Sequence, residues 1–307
     1  MTGLSRSRAR RRPPVRPAWQ ERPHPLTSGA KAVAVVVVLV LVFVPFLVVV
    51  STSLADPADV VANGGWVLWP EHPSFAAYAE ILSGGVVGRA TLVSVGVTLV
   101  GTACSLGATV LLAYALSRPG VFGGKPVMLL VLFTFLFPPG MIPAYLVVKQ
   151  LGLLDSYGAL IAPVLVNTFN LVVMRGFFQS LPSELYEAAR LDGASEWSML
   201  WRITIPLSRA VLAVIGLFYA VSYWNSWFNA MIYIDTPTKW PLQLVLRTYV
   251  LAGGQLADPS SGEAGLMSAP QTVQMAVVVL ATIPIVLVYP FLQRYFVKGV
   301  LSGAIKS

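Results

Sequence analysis

Charge is what this chain has least of. Only 11% of its 307 residues are Asp, Glu, Lys or Arg, less than half the share usual in a soluble domain, while 56% are apolar and mean hydropathy is +0.73. That balance excludes an ordinary water-soluble domain and points to an all-α, multi-spanning membrane protein. Cysteine is nearly absent too: Cys104 stands alone in an apolar run, which rules out an intrachain disulfide. His24 and His72 have no partners at metal-ligand spacing, so no metal site is expected. No Gly-x-x-x-x-Gly-Lys-Ser/Thr occurs; the stretch from Gly120 to Pro126 comes near but ends Gly-Lys-Pro, so the chain lacks a phosphate cradle. No nucleophile–base set is present, and the chain is expected to be neither an enzyme nor a cofactor binder.

What it has is long apolar runs. Six charge-free stretches, residues 32–54, 90–117, 126–148, 156–174, 210–234 and 264–293, each hold about the 20 residues a spanning helix needs. Residues 1–31 carry eight of the Lys and Arg with five prolines. A nucleic-acid arm is one reading of that segment; beside a membrane span, a disordered cytoplasmic tail that sets topology is the preferred one. The run after it is longer than the core of a secretory signal, so it reads as a retained first helix. With the N-terminus inside, six crossings return the C-terminal tail, 297–307, to the cytoplasm. On that topology 17 of the 21 Lys and Arg face inward and four (Arg89, Lys149, Lys239 and Arg247) face outward, as the positive-inside rule requires. No acid or base falls within a span, so a proton or sodium relay of the kind secondary carriers use is not expected.

Polar and small residues within the spans are the next signal. Ser94, Thr98, Gly101, Ser105 and Ala108 form a stripe that lets another helix approach closely, a packing device. Pro138, Pro139, Gly140 and Pro143 break the third span, either as a hinge near a transport path or as a plain kink. In the fifth, Tyr223, Trp224, Asn225 and Asn229 bring hydroxyl, aromatic and amide groups into an apolar helix. Amides facing lipid are costly, so Asn225 and Asn229, four apart on one face, should meet another helix or an aqueous path. Amides beside aromatic rings suit a neutral sugar. Asn167 and Asn170 are weaker candidates of the same kind. Outside, residues 55–88 suit an interfacial helix around Phe75, Tyr78 and Leu82, and residues 235–263 form a loop able to touch a substrate-delivering protein.

The longest water-compatible segment, residues 181–206, lies between two apolar blocks. It reads as two short helices about one glycine. Ser183 is the expected N-cap and Glu184 stands in the first turn; Leu185, Ala188 and Ala189 share one face, Glu184, Glu187 and Arg190 the other. Gly193 is placed to take the left-handed conformation that stops the first helix. A second helix from Ser195 carries Trp197, Leu200 and Trp201 as its apolar face, and Pro206 marks a new segment. Glu187-Ala188-Ala189, then Gly193, then Ile203-Thr204-Ile205-Pro206 resembles the "EAA" loop of binding-protein-dependent ABC importers, with Ile205 where Leu is usual.

The C-terminus, Gln293-Arg294-Tyr295-Phe296 through Gly299 to Gly303-Ala304-Ile305-Lys306, is similar to the tail of sugar-importing permeases of the maltose-permease type. Residues 219–227 and 241–247 resemble the branch that imports complex oligosaccharides. The resemblance implies a type I ABC importer permease fold, with residues 32–296 as the permease domain in the cell membrane. It implies that residues 184–194 dock on an ATPase subunit through Glu184, Glu187, Ala188, Ala189, Asp192, Gly193 and Ala194, and that Tyr223, Trp224, Asn225 and Asn229 line the path. The implied partners are a second, related permease in a heterodimer, two ATPase subunits and an extracytoplasmic solute-binding protein. A permease of this class for a peptide or polyol would share every coupling feature; an ATP-independent carrier would share none.

Overall fold

The computed structural model describes residues 25–82, 85–251 and 271–304, with side chains described up to residue 290 apart from a few near the gaps. The first 24 residues of the basic tail, the Gly/Ser/Pro patch at 253–262 and the side chains of the C-terminal Gln-Arg-Tyr-Phe motif lie outside the described part. Every named element is helical. They are α1 Pro25–Ser53, α2 Pro57–Ala62, α3 Ala76–Leu82, α4 Val86–Ser117, α5 Gly124–Leu136, α6 Met141–Gln150, α7 Gly158–Ile161, α8 Thr168–Gln179, α9 Ser183–Leu191, α10 Glu196–Met199, α11 Ile205–Leu207, α12 Arg209–Trp224, α13 Trp227–Tyr233, α14 Leu242–Leu251 and α15 Gln271–Ala304. Short 3₁₀ turns follow α7 and precede α14, and a π turn spans Leu200–Thr204.

The chain divides into two units, residues 1–47 and 48–307. In the first, the described element is α1. It is helical from the first described residue, Pro25, so residues 25–31 of the expected tail belong to the helix. At the other end α15 runs to Ala304, so most of the expected tail at 297–307 is helical.

In the second unit α4 is the axis. It is long and apolar enough to cross a membrane by itself, as is α1. The third, fourth and fifth apolar stretches are interrupted, whereas the described part of the sixth lies in the continuous α15. Residues 137–140 leave the helix between α5 and α6, where Gly140 takes φ +82°, so the proline cluster breaks the third stretch as the sequence indicates. Around α7–α8 the path bends by 52°, and Asn167 caps α8 by accepting from the Asn170 backbone N–H at 3.1 Å. The fifth stretch is also broken, a correction to the single helix expected there. Helix α12 stops at Trp224, and the Asn225 amide donates to the Val221 carbonyl at 2.9 Å. The Asn225 backbone N–H donates to the same carbonyl at 3.1 Å, so its amide doubles the last bond of the helix, and the break comes without proline or glycine.

The small-residue stripe of α4 does what its spacing predicts. A Cβ on Gly101 would sit 2.8 Å from the Tyr223 ring, so only glycine lets α12 come this close. Ser105 and Tyr223 share a hydroxyl–hydroxyl bond of 2.7 Å, and Thr109 and Tyr219 another of 2.7 Å. Tyr219 also accepts from the Asn167 N–H at 2.9 Å, which ties α8 to the same pair. Further along, the Ser94 hydroxyl accepts from the Leu242 N–H at 2.7 Å and so satisfies an otherwise orphaned donor at the start of α14. Buried Leu160, Leu171, Met174 and Ile215 fill the space between these helices. These buried hydroxyls are paired, which lowers the cost of burying them, whereas the Thr98 and Thr102 hydroxyls of the same helix have no hydrogen-bond partner among the described residues.

Candidate functional site

Two regions carry the sequence-derived candidates: the helix pair after α8 and the break after α12. In the first, α9 ends as a Schellman motif. Gly193 adopts φ +76°, its N–H donates to Arg190 at 3.0 Å, and the Ala194 N–H reaches back to Ala189 at 2.9 Å. Nothing lies within 4 Å of the position a Gly193 Cβ would take, so the backbone angle alone demands glycine there. The N-terminus differs from expectation: Pro182 is the cap residue and no side chain caps the helix, Ser183 being the first helical residue. Ser195 caps α10, accepting from the Ser198 N–H at 3.3 Å.

The face assignment is corrected as well. The residue that anchors α9 is Tyr186, which is buried, whereas Leu185 and Ala188 are exposed and Leu191 is 90% exposed. Opposite Tyr186 on the helix lie Glu184, Glu187, Ala188 and Leu191, all open to the surroundings. Of the face expected on the second helix only Leu200 is buried, alongside Met199; Trp197 and Trp201 are 62% and 61% exposed. Pro206 stands in the first turn of α11, the short segment after the π turn, as expected, and the larger bend, 84° between Glu196–Leu207 and α12, follows at Ser208.

What holds α9 is a set of contacts invisible to local pattern. The Tyr186 hydroxyl bonds to Thr204 Oγ1 at 3.0 Å, and Thr204 donates to the Met199 carbonyl at 3.3 Å within the π turn. The Arg118 guanidinium, from just past the end of α4, lies 3.5 Å over the Tyr186 ring and 4.3 Å over Tyr114. Arg118 donates to the Tyr114 hydroxyl at 2.7 Å, which donates in turn to Glu196 Oε2 at 2.7 Å; Arg190 donates to Glu196 Oε1 at 3.1 Å. Burial pushes the Glu196 carboxyl up, but the hydrogen bonds from Tyr114 and Arg190 and the nearby positive charge outweigh it and hold the group below its ordinary range. The outcome is an exposed surface helix pinned on its inner side to the end of α4.

At the second region, Tyr223 and Trp224 are buried, and their polar atoms are taken by the same chain: Tyr223 by Ser105, and the Trp224 indole N–H by the Ala281 carbonyl at 3.0 Å. They hold the break against α4 and α15. Asn225 is exposed and Asn229 half-buried. The break puts Asn225 at the end of α12 and Asn229 within α13, so they do not share a continuous helical face. A residue the sequence reading left in an outer loop covers Trp227, the first residue of α13: Arg247 of α14 lies 3.9 Å over its ring, and the Arg247 Nη1 has no hydrogen-bond partner among the described residues. The signal for it was the segment at 241–247. Beside this region Asp155, with φ +54°, accepts from the Thr236 N–H, the Thr236 hydroxyl and Lys239 at 2.9, 2.7 and 2.6 Å, and the Lys239 ammonium and Thr236 hold its carboxyl well below the usual carboxylate range. Among the described residues no group of three or more His, Cys, Asp or Glu could hold a metal ion.

Comparison with known proteins gives this geometry its context. The chain is 46% identical over 265 residues to the polygalacturonan/rhamnogalacturonan transport system permease protein YtcP of Bacillus subtilis, covering 86% of this chain and 92% of that one. It is 44% identical to protein LplC of the same organism, covering 86% and 89%. Among solved structures it superposes with TM-score 0.81 and 31% identity on a chain of a bacterial ABC transporter involved in the import of the acidic polysaccharide alginate, covering 91% of this chain and 99% of that one. Residues 105–302 match the family described as binding-protein-dependent transport system inner membrane component. The chain therefore belongs to that family of multi-pass inner-membrane permeases, and its fold is that of an ABC importer permease.

Proposed function

We propose that this chain is the membrane-spanning subunit of an ATP-driven importer of oligosaccharides, uronate-bearing ones in particular. The observation that carries the coupling part is the outer face of α9: Glu184, Glu187, Ala188 and Leu191 are presented to a partner while Tyr186 locks the opposite side. An exposed apolar residue rimmed by carboxylates on a rigid helix suits docking into a groove of a separate ATPase subunit. Asp192, Gly193 and Ala194 form the bend that fixes the helix direction, and Ala189 belongs to the half-covered side.

In this reading the six apolar stretches are six crossings, with both termini, α9 and 17 of the 21 Lys and Arg cytoplasmic. A second, related permease completes the bundle as a heterodimer, two ATPase subunits bind from inside, and an extracytoplasmic binding protein delivers solute. ATPase closure moves α9 as a rigid lever, and the pinned end of α4 carries that motion to α12 and α8. The path surface centres on Asn225 and Asn229, with Tyr223 and Trp224 supporting it from behind. Polygalacturonan and alginate, the cargoes for which the relatives are named, carry a carboxylate on most rings, and Arg247 over Trp227 offers the pairing of cation and ring that such a sugar needs. The test is uptake by the chain purified with its partners and reconstituted with the binding protein. ATP-dependent accumulation of oligogalacturonides supports the reading; accumulation that proceeds without ATP refutes it.

A further inference from the structure

We infer that the cleft where α4, α5 and α8 meet is a binding site for the phosphate of an anionic phospholipid headgroup. The cleft, of about 1010 Å³, is lined by Arg118 just past α4, Lys125 in the first turn of α5, and Arg175 and Gln179 near the end of α8. None of the lining residues is acidic. Among the described residues neither Lys125 nor Arg175 has a carboxylate within ion-pair distance. Arg175 spends its Nε–H on the Leu116 carbonyl at 2.9 Å, which fixes the guanidinium at the cleft wall and leaves its terminal nitrogens free for a ligand. The Arg118 side chain is 10% exposed, and its Nε is buried without a hydrogen-bond partner, a buried donor with no acceptor. Its carboxylate neighbour, Glu196, stands 3.8 Å away and already accepts from Tyr114 and Arg190.

Charge is half of the argument. The backbone adds one donor, the Lys125 N–H in the first turn of the 13-residue α5, since the Gly124 N–H is spent on the Val121 carbonyl at 3.2 Å and Pro126 has none. The rim supplies the other half. Val121 and Leu129 line the cleft and are exposed, and Phe122 beside them is fully exposed. A soluble phosphate has no use for that apolar rim, whereas a lipid would place its headgroup among the cations and its acyl chains along Phe122 and Leu129. The cleft lies at the α9 end of α4, so on the topology proposed above it faces the cytoplasmic leaflet, where anionic lipid is met. Arg118 belongs both to the cleft and to the contacts that pin α9, so headgroup occupancy would brace that anchor.

The test uses the whole transporter purified with its partners, with native mass spectrometry and phosphatidylglycerol or phosphatidylcholine as probes. The proposal requires selective retention of phosphatidylglycerol, weakened about fivefold by Lys125→Gln and roughly as much again by adding Arg175→Gln, each removed cation near a lipid surface counting about equally. Lys125→Gln is the informative variant because Lys125 makes no contact that the fold needs. Equal retention of the two lipids overturns the proposal. So does displacement of phosphatidylglycerol by inorganic phosphate at matched concentration, which would assign the cleft to a soluble anion. Loss of the ATPase subunit from the Lys125→Gln complex, with lipid retention unchanged, also overturns it by assigning the cleft to protein contact.

Discussion

Among the contacts that anchor α9 is one buried hydroxyl pair, and its asymmetry makes a quantitative prediction. Thr204 accepts from Tyr186 and donates to the Met199 carbonyl, whereas Tyr186 has Thr204 as its partner. Thr204→Val therefore strands the Tyr186 hydroxyl in a site where that residue is 7% exposed, a loss of about 1–3 kcal/mol. Tyr186→Phe leaves Thr204 its carbonyl partner and leaves the ring under Arg118, so it costs only about 0.5–1.5 kcal/mol. In the double variant both partners are apolar and of native shape, so it should be less damaging than Thr204→Val alone. Hydrogen exchange of the Asp192, Gly193 and Ala194 amides in the assembled transporter reads this directly, because a tenfold loss of protection corresponds to about 1.4 kcal/mol. Thr204→Val should lower protection by roughly one to two decades. Recovery in the double variant would establish the pairing. Additive single effects, or a larger loss in Tyr186→Phe, would refute it.

Other consequences follow from the same contacts. Gly101→Ala pushes a methyl to 2.8 Å from a Tyr223 ring whose hydroxyl is held by Ser105, so it should destabilise the purified protein by about 1–3 kcal/mol, while Gly107→Ala, with nothing within 4 Å, should not. Thermal denaturation in detergent compares the two. Because the Asp155 carboxyl is held below its ordinary range, the stability it contributes is present above the unfolded value of about 4 and fades as pH falls beneath it. The difference in melting temperature between wild type and Asp155→Asn should therefore be constant near neutrality and shrink only in acid.

The sequence carried those features whose cause is local. Gly193 stops α9 because a left-handed residue is needed at that point, and Pro138 to Gly140 break the third stretch because proline cannot donate. The α4 stripe was legible because small residues at helical spacing have one use in an apolar helix. Contacts across the chain were not legible. Tyr186 reads as one more amphipathic position until Arg118 and Thr204, remote in sequence, close around it. The break at Asn225 has neither proline nor glycine; it is marked by a side-chain amide that bonds its own helix's backbone, which periodicity does not register. Arg247 looked like a loop cation because the partner that gives it meaning, Trp227, lies on another element. Pro206 marks the start of α11 as read, but the larger bend falls at Ser208, where no proline announces it.

The central claim is that α9 transmits another subunit's nucleotide-driven motion. Its most direct test is the ratio of solute imported to ATP hydrolysed by the reconstituted transporter carrying Glu187→Lys on the exposed face of α9. The account predicts a fully inserted chain in which that ratio collapses. Unchanged uptake at an unchanged ratio would contradict it.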